Sequence, residues 1–392
     1  MASAGVREVS ALYIHIPFCE RKCEYCDFVS VAGARGQHEY VAALCAELRA
    51  LASALDGSVL ETVFCGGGTP GLLDLRLMHD VMATVRSSFR IGAGAEVSLE
   101  VNPSSTSPSR AHSWRSAGFN RVSVGVQSTH RDILGFLGRV HDGDRALAAL
   151  GEVRQGGFDN VSGDLIYAVP GLDDARWRRS LGRVIDAAPD HVSCYELTVE
   201  EGTPLHRSVA SGAARVVNPE LALRQHRIAV DTLAAAGYAQ YEVSNFARPG
   251  CECRHNLTYW RNGAYAAAGV GAHGHLPSAV APAFGLEAPH SALSFRYEHG
   301  RSVAAYVRGR ERAPLRVENV EWIDEAMRSE ESVMLGLRLR EGVVLERAGA
   351  VEEARGLAAA GLLTVDGDLV RVTSRGEDVL NQLALRLAAH SA

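Results

Sequence analysis

Three cysteines fall within eight positions, Cys19, Cys23 and Cys26, spaced C-x3-C-x2-C in "FCERKCEYCDF". A disulfide uses two thiols, and a structural zinc site uses four ligands. Three thiolates suit a [4Fe–4S] cluster, holding three irons and leaving the fourth open to an exogenous ligand. Two other readings stand beside this one: a zinc ion completed by a distant His or Cys, and three unrelated core cysteines. The polar, charged residues between the cysteines argue against the core reading. Cys45, Cys65 and Cys194 stand alone, and Cys251 and Cys253 form a loose pair. Eight cysteines in 392 residues are too sparse for a disulfide scaffold and fit metal chemistry in a reducing compartment.

Other residues with chemistry to offer sit at the ends of short apolar runs. The runs are 11–16, 60–68, 95–103, 120–127, 161–170 and 191–198, and helix-length amphipathic stretches lie between them. At or near the C-terminal end of a run come Gly66, Gly67, Gly68 and Thr69, then Glu100, Gln127, Asp164 and Thr198. Strand–helix alternation predicts a parallel α/β sheet, either an incomplete barrel or a doubly wound sheet. Both bind ligands at the carboxyl edge of the strands. A glycine run after a strand lets backbone N–H groups approach a ligand, or makes a tight turn. Glu100 and Gln127 can bond hydroxyl and amino groups, or serve as satisfied polar residues at a barrel rim. Arg139 and Asp164 can pair with each other or contact a ligand.

The elements beyond residue 205 are less regular. A helix over "LALRQHRIAVDTLAAAGY" and one more strand in "AQYEVSNFARPG" complete a core expected over 1–245. Residues 246–317 are rich in Gly, Ala, His and Pro and predict an irregular connecting region. Over 318–392, two helical patterns and "LTVDGDLVRVT", a hairpin with an Asp-Gly turn, predict a small α+β winged-helix-like unit. Its acidic character argues for docking or capping rather than DNA binding. The net charge of the chain is -6, which makes nucleic acid a poor partner. No stretch of 18 apolar residues and no secretory leader is seen, so a cytoplasmic location is expected.

The stretch "YIHIPFCERKCEYCDF" resembles the radical S-adenosylmethionine (SAM) superfamily, and within it the oxygen-independent coproporphyrinogen III oxidase group. "GGGTP" at 66–70, "EVNP" at 100–103, "GVQS" at 125–128, "DLIYAVPG" at 164–171 and "EEGTPL" at 200–205 resemble that group too. The resemblance covers essentially the whole chain. It implies a partial (β/α)6 TIM-like barrel with Cys19, Cys23 and Cys26 on the cluster and SAM on its open iron. It further implies SAM contacts from Tyr13, Tyr25, Gly67, Gly68, Thr69, Glu100, Gln127, Arg139, Asp164 and Thr198. Tyr25 takes the place of an adenine-packing ring. Gln127, Arg139 and Asp164 match positions that serve a second SAM molecule in the oxidases. His15 is read as structural.

Two departures from the oxidase pattern stand out. The oxidases carry a further cysteine two places after the third ligand, where this chain has Phe28, and only twelve residues precede Tyr13. Both features are similar to a sister family, the HemW-type haem chaperones, which by that resemblance lack oxidase activity. The stretch "HNLTYW" adds His255, Asn256, Tyr259 and Trp260, matching the H-N-x-x-Y-W motif associated with haem in that family. Haem iron accepts a histidine ligand, and His255 is the expected haem contact. A zinc site of Cys251, Cys253 and His255 is the competing reading, and His273 and His275 are read as loop residues. The resemblance thus implies a chaperone that carries haem as cargo to haem-accepting proteins such as respiratory enzymes. No residue is assigned a catalytic role. A homodimer and transient contact with a membrane protein are left open. The alternatives are the oxidase itself, or a radical enzyme acting on another tetrapyrrole or small molecule.

Overall fold

Six strands run parallel and in sequence order: β1 (Ala11–Ile16), β2 (Val59–Gly67), β3 (Arg90–Val101), β4 (Arg121–Gln127), β5 (Asn160–Tyr167) and β6 (His191–Glu196). They belong to a computed structural model that describes residues 9–310 and 313–391. Helices α1 (Gln37–Ala54), α2 (Leu75–Ser88), α3 (Pro108–Ser116), α4 (Gly143–Gln155) and α5 (Asp174–Asp186) fill the crossovers, and α6 (Pro219–Ala235) follows β6. Parallel neighbours need such crossovers, which favour one hand. Four helix starts have a local cause. Asp74, Ser107, Asp142 and Asp173 turn their side chains back to accept first-turn N–H groups of α2 to α5, a bond whose loss costs about 1 kcal/mol.

Alternation of period two separates the two faces of the strands. In β4, Val122, Val124 and Val126 join the hydrophobic core, while Arg121, Ser123, Gly125 and Gln127 line a cleft inside the sheet. In β6, Val192 and Cys194 join the core, and His191, Ser193 and Tyr195 line the cleft. The incomplete barrel therefore has an apolar outside packed by helices and a polar inside, with its mouth at the carboxyl edge.

The sheet extends past both ends of the barrel. Antiparallel β7 (Ala239–Glu242) and β8 (Asn245–Ala247) follow β6. On the other side β9 (Tyr265–Ala268) runs parallel to β1, and β10 (His273–Pro277), β11 (Ser294–Glu298) and β12 (Asn319–Ile323) continue antiparallel. The full order is β12-β11-β10-β9-β1-β2-β3-β4-β5-β6-β8-β7. This corrects the expectation of an irregular region over 246–317, which contains β9, β10 and β11 and two helices, α7 (Arg254–Trp260) and α8 (Val303–Arg310). The small residues there answer to packing. The Tyr297 hydroxyl sits against β9, bonding both the N–H and the carbonyl of Ala267 at 2.7 and 2.8 Å. A Cβ on Gly274 would lie 2.3 Å from the Tyr297 ring. Alanine and glycine carry little strand propensity of their own, so their strands show only in the folded chain.

The C-terminal part has its own apolar cluster, including Val333, Leu337, Ala350, Leu357 and Leu383. It comprises α9 (Glu325–Gly336), α10 (Ala348–Ala359), α11 (Leu380–Ala388) and a sheet of β13 (Val343–Val344), β14 (Leu363–Asp366) and β15 (Leu369–Val372). This is a winged-helix-like arrangement, with Gly367 at φ +62° closing the hairpin. Strand β12 lies past residue 318 yet pairs with the main sheet. The Arg340 N–H bonds the Tyr241 carbonyl at 3.0 Å, and its guanidinium reaches Gln240 and Glu377.

Candidate cofactor cleft

The cleft has a volume of about 770 Å³ and opens where the cysteine loop crosses the carboxyl edge of the strands. Cys19, Cys23, Tyr25, Cys26, Gly67, Gly68, Thr69, Glu100, Gln127, Arg139, Asp164 and Thr198 all line it. The chain thus brings together twelve of the fourteen residues expected to contact the cluster, SAM or haem. Tyr13 and His255 are the two that do not line it.

The cysteine loop is tied to the strands by one hydrogen-bonded arc. Thr69 donates its hydroxyl to the Cys19 sulfur at 3.7 Å and accepts from the Asn102 amide at 2.8 Å. Asn102 in turn accepts from Arg139, which donates to the Cys23 sulfur at 3.3 Å and to the Gly125 carbonyl at 3.2 Å. Arg139 and Asp164 do not pair. Asp164 instead accepts from the hydroxyls of Ser123, Ser162 and Ser193, from three adjacent strands, at 2.7–3.0 Å. Burial raises the Cys26 thiol to about 11, with Cys23 and Cys19 adding to this and the Phe28 N–H opposing it. A cluster at this loop must therefore displace thiol protons as it binds.

The glycine run owes its identity first to packing. Gly67 has φ +110°, and a Cβ there would lie 2.6 Å from the His15 ring. A Cβ on Gly68 would meet the Pro17 and Phe18 backbone at 2.8–2.9 Å. His15 itself is buried and bonds the Val29 carbonyl at 2.7 Å and the Tyr13 hydroxyl at 3.2 Å. Tyr13 thus stands one layer behind the cleft, its ring stacked on Phe64. The Gly67 N–H donates to Glu100 at 3.3 Å. Burial, with Asp164 adding to it, raises the Glu100 carboxyl to about 8. Gln127 adopts φ +62° at the end of β4, a left-handed conformation uncommon for a side chain of this kind and concentrated at ligand sites.

His255 is placed differently from its expected role. It is buried, 1% exposed, on the inner side of α7. Its Nδ1 bonds the Thr62 hydroxyl at 2.8 Å, and its Nε2 bonds the Tyr259 hydroxyl at 2.7 Å. Neither ring nitrogen is turned to the cleft in this arrangement. Burial, aided by Arg121, lowers its pKa to about 3. Glu96 fixes the start of the helix, accepting from the Arg254 and His255 N–H groups at 2.9 and 3.2 Å. The His255 ring stacks on Phe64, which lines the cleft, and Asn256 also reaches the cleft surface. Cys251, Cys253 and His255 do not converge as ligands of a single ion, and no such group occurs among the described residues.

Sequence reasoning missed Asn102, Arg121, Ser123, His191, Ser193 and Tyr195 on the cleft wall. For Asn102, Arg121 and Ser123 the signal was the period of two, since they stand an even number of residues from Glu100 or Gln127; His191, Ser193 and Tyr195 alternate with one another but not with Thr198, so no noted residue gave their direction.

The geometry can be set beside known proteins. Residues 13–184 match the Radical SAM superfamily model. The heme chaperone HemW of Mycobacterium tuberculosis is 39% identical over 371 residues, 93% of this chain and 91% of that protein. The bovine mitochondrial radical S-adenosyl methionine domain-containing protein 1 is 35% identical, over 96% of this chain and 87% of its own. The Escherichia coli coproporphyrinogen III oxidase HemN, a radical SAM enzyme, superposes with a TM-score of 0.80 over 97% of this chain and 90% of its own, at 22% identity. That last likeness is one of fold.

Proposed function

The chain belongs to the HemW family of the radical SAM superfamily, and from that premise we propose that it binds haem and passes it to haem-requiring proteins, respiratory enzymes among them. The cleft is proposed to hold a [4Fe–4S] cluster on Cys19, Cys23 and Cys26, with SAM beside it. One observation carries this reading: three thiols, a glycine turn, the half-buried acid Glu100 and the half-buried Arg139 line a single cleft. Around them, the arc from Cys19 through Thr69, Asn102 and Arg139 to Cys23 holds two of the sulfurs.

When bound, such a cluster offers one open iron and a low-potential electron to its ligand. The work of the protein is positioning. Arg139 donates to the Cys23 sulfur, a bond that spreads thiolate charge and tunes a cluster. Glu100, protonated near pH 7 in the ligand-free cleft, can donate to a hydroxyl or lose its proton to pair with an amino group. The Gly67 turn brings backbone close to the ligand, and Tyr25 supplies an aromatic wall. Phe28 lies at the rim, 62% exposed. It offers a flat apolar face to a macrocycle and, unlike a cysteine, no thiol for metal or hydrogen transfer. Haem contact through His255 requires its ring to give up the bond to Thr62 or the bond to Tyr259.

The competing reading is coproporphyrinogen III oxidation, favoured only by the shared cleft. Anaerobic incubation of the reconstituted protein with coproporphyrinogen III, SAM and reductant separates the two. The chaperone reading expects no protoporphyrinogen beyond background; sustained turnover overturns it.

A further inference from the structure

The floor of the cleft holds a cation that the cysteine end does not use. Arg121, the first residue of β4, is 2% exposed yet lines the cavity. Its Nε has no hydrogen-bond partner among the described residues. The two carboxylates that act on it electrostatically, Glu96 and Asp164, are committed elsewhere. Asp164 is occupied by its three serine hydroxyls, and Glu96 by the N–H groups that open α7. A buried guanidinium carries five N–H donors in a planar fork, and leaving them unmatched is unfavourable. That fork matches a carboxylate.

Position then narrows the source of the carboxylate. Arg139 bonds the Gly125 carbonyl beside Cys23, which marks the cysteine end of β4. Arg121 lies four residues below Gly125, about 13 Å at the rise of a strand. A carboxylate held at the cysteines is therefore a different group from one held at the floor. We propose that Arg121 anchors a carboxylate of the cargo, a haem propionate, at the floor of the cleft; this rests on the haem reading above. His191, on which the Arg121 charge acts, lines the same cavity, as do the polar Ser193, Ser244 and Asn256.

The test uses the full chain with its cluster reconstituted anaerobically. Wild-type protein is titrated with haem and with haem dimethyl ester, whose propionates are capped, and SAM binding is measured by equilibrium dialysis. The expected result is free-acid haem bound at least about ten-fold more tightly than the ester, the scale of one charge-assisted hydrogen bond. Arg121→Gln should abolish that preference, Arg121→Lys should restore part of it, and SAM affinity should be unchanged in both. Equal binding of acid and ester by the wild type overturns the proposal without any variant, so a misfolded Arg121→Gln cannot shield it. Loss of SAM affinity with the haem preference intact assigns the carboxylate to SAM and equally overturns it. Failure of the wild type to bind either porphyrin overturns the haem reading itself, an outcome distinct from both.

Discussion

Glu100 and His255 show how burial sets chemistry one residue at a time. Glu100 has a folded pKa raised to about 8 from its ordinary 4.5, chiefly by burial. The folded state therefore binds the extra proton between those values. This contribution to stability is fully present below pH 4.5 and is lost as pH rises through 8. Glu100→Gln should remove that dependence and stabilise the ligand-free protein above pH 8 by at least ~1.4 kcal/mol, one pKa unit, while weakening SAM binding. Denaturant melts at pH 6 and pH 9 check it; an unchanged pH slope in the variant contradicts the assignment. His255 carries the opposite lesson. Its ring is held on both nitrogens, so His255→Ala should cost about 2–4 kcal/mol through two orphaned hydroxyl partners and a cavity. A thermal melt within a degree of wild type would show that the ring is not so held. Loss of haem binding in this variant is meaningful only beside that melt. The sequence marked His255 as chemistry, because a motif shows residue types but not that the hydroxyls of Thr62 and of the motif's own Tyr259 take up both ring nitrogens.

At the scale of elements, the end of β2 is constrained twice over. Gly67 needs both its positive φ and the space taken by the His15 ring. Gly67→Ala should destabilise the protein by about 2 kcal/mol or more, since strain at φ > 0 and overpacking add. Combining it with His15→Ala should relieve the overpacking but not the strain, giving a coupling of about 0.5–3 kcal/mol in a double-mutant cycle. Strict additivity would mean that the ring and the turn do not meet. The strands of the barrel were legible from alternating apolar runs, and their carboxyl ends located most of the cleft. The same alternation also marked Asn102 and Arg121, whose inward direction follows from Glu100 and Gln127. Strand β9 was not legible: "YAAA" has no β-branched residue, and its pairing with β1 spans more than 250 positions of sequence. The winged C-terminal part was readable because its Asp366-Gly367 turn and amphipathic helices are local signals.

The whole molecule joins a polar barrel interior to an aromatic path and a C-terminal unit. Phe64 on the cleft stacks on His255, whose ring meets Tyr259, which in turn meets Tyr265 of β9, with centroid separations of 5.1, 5.0 and 4.6 Å. Trp260, at the end of the same helix, lies under Arg338 of the C-terminal part. The H-N-x-x-Y-W helix therefore touches the cleft wall, the extended sheet and the C-terminal unit together. The packing from the cleft wall is thus continuous with the C-terminal unit. Among the described residues no helix is long and apolar enough to cross a membrane. The account turns on whether this cleft takes haem. Anaerobic spectrophotometric titration of the reconstituted full chain with haem, followed by mixing with an apo-haem protein, measures that directly. The expected result is saturable, stoichiometric binding and subsequent loss of the haem to the acceptor. Binding that never saturates, or none at all, contradicts it.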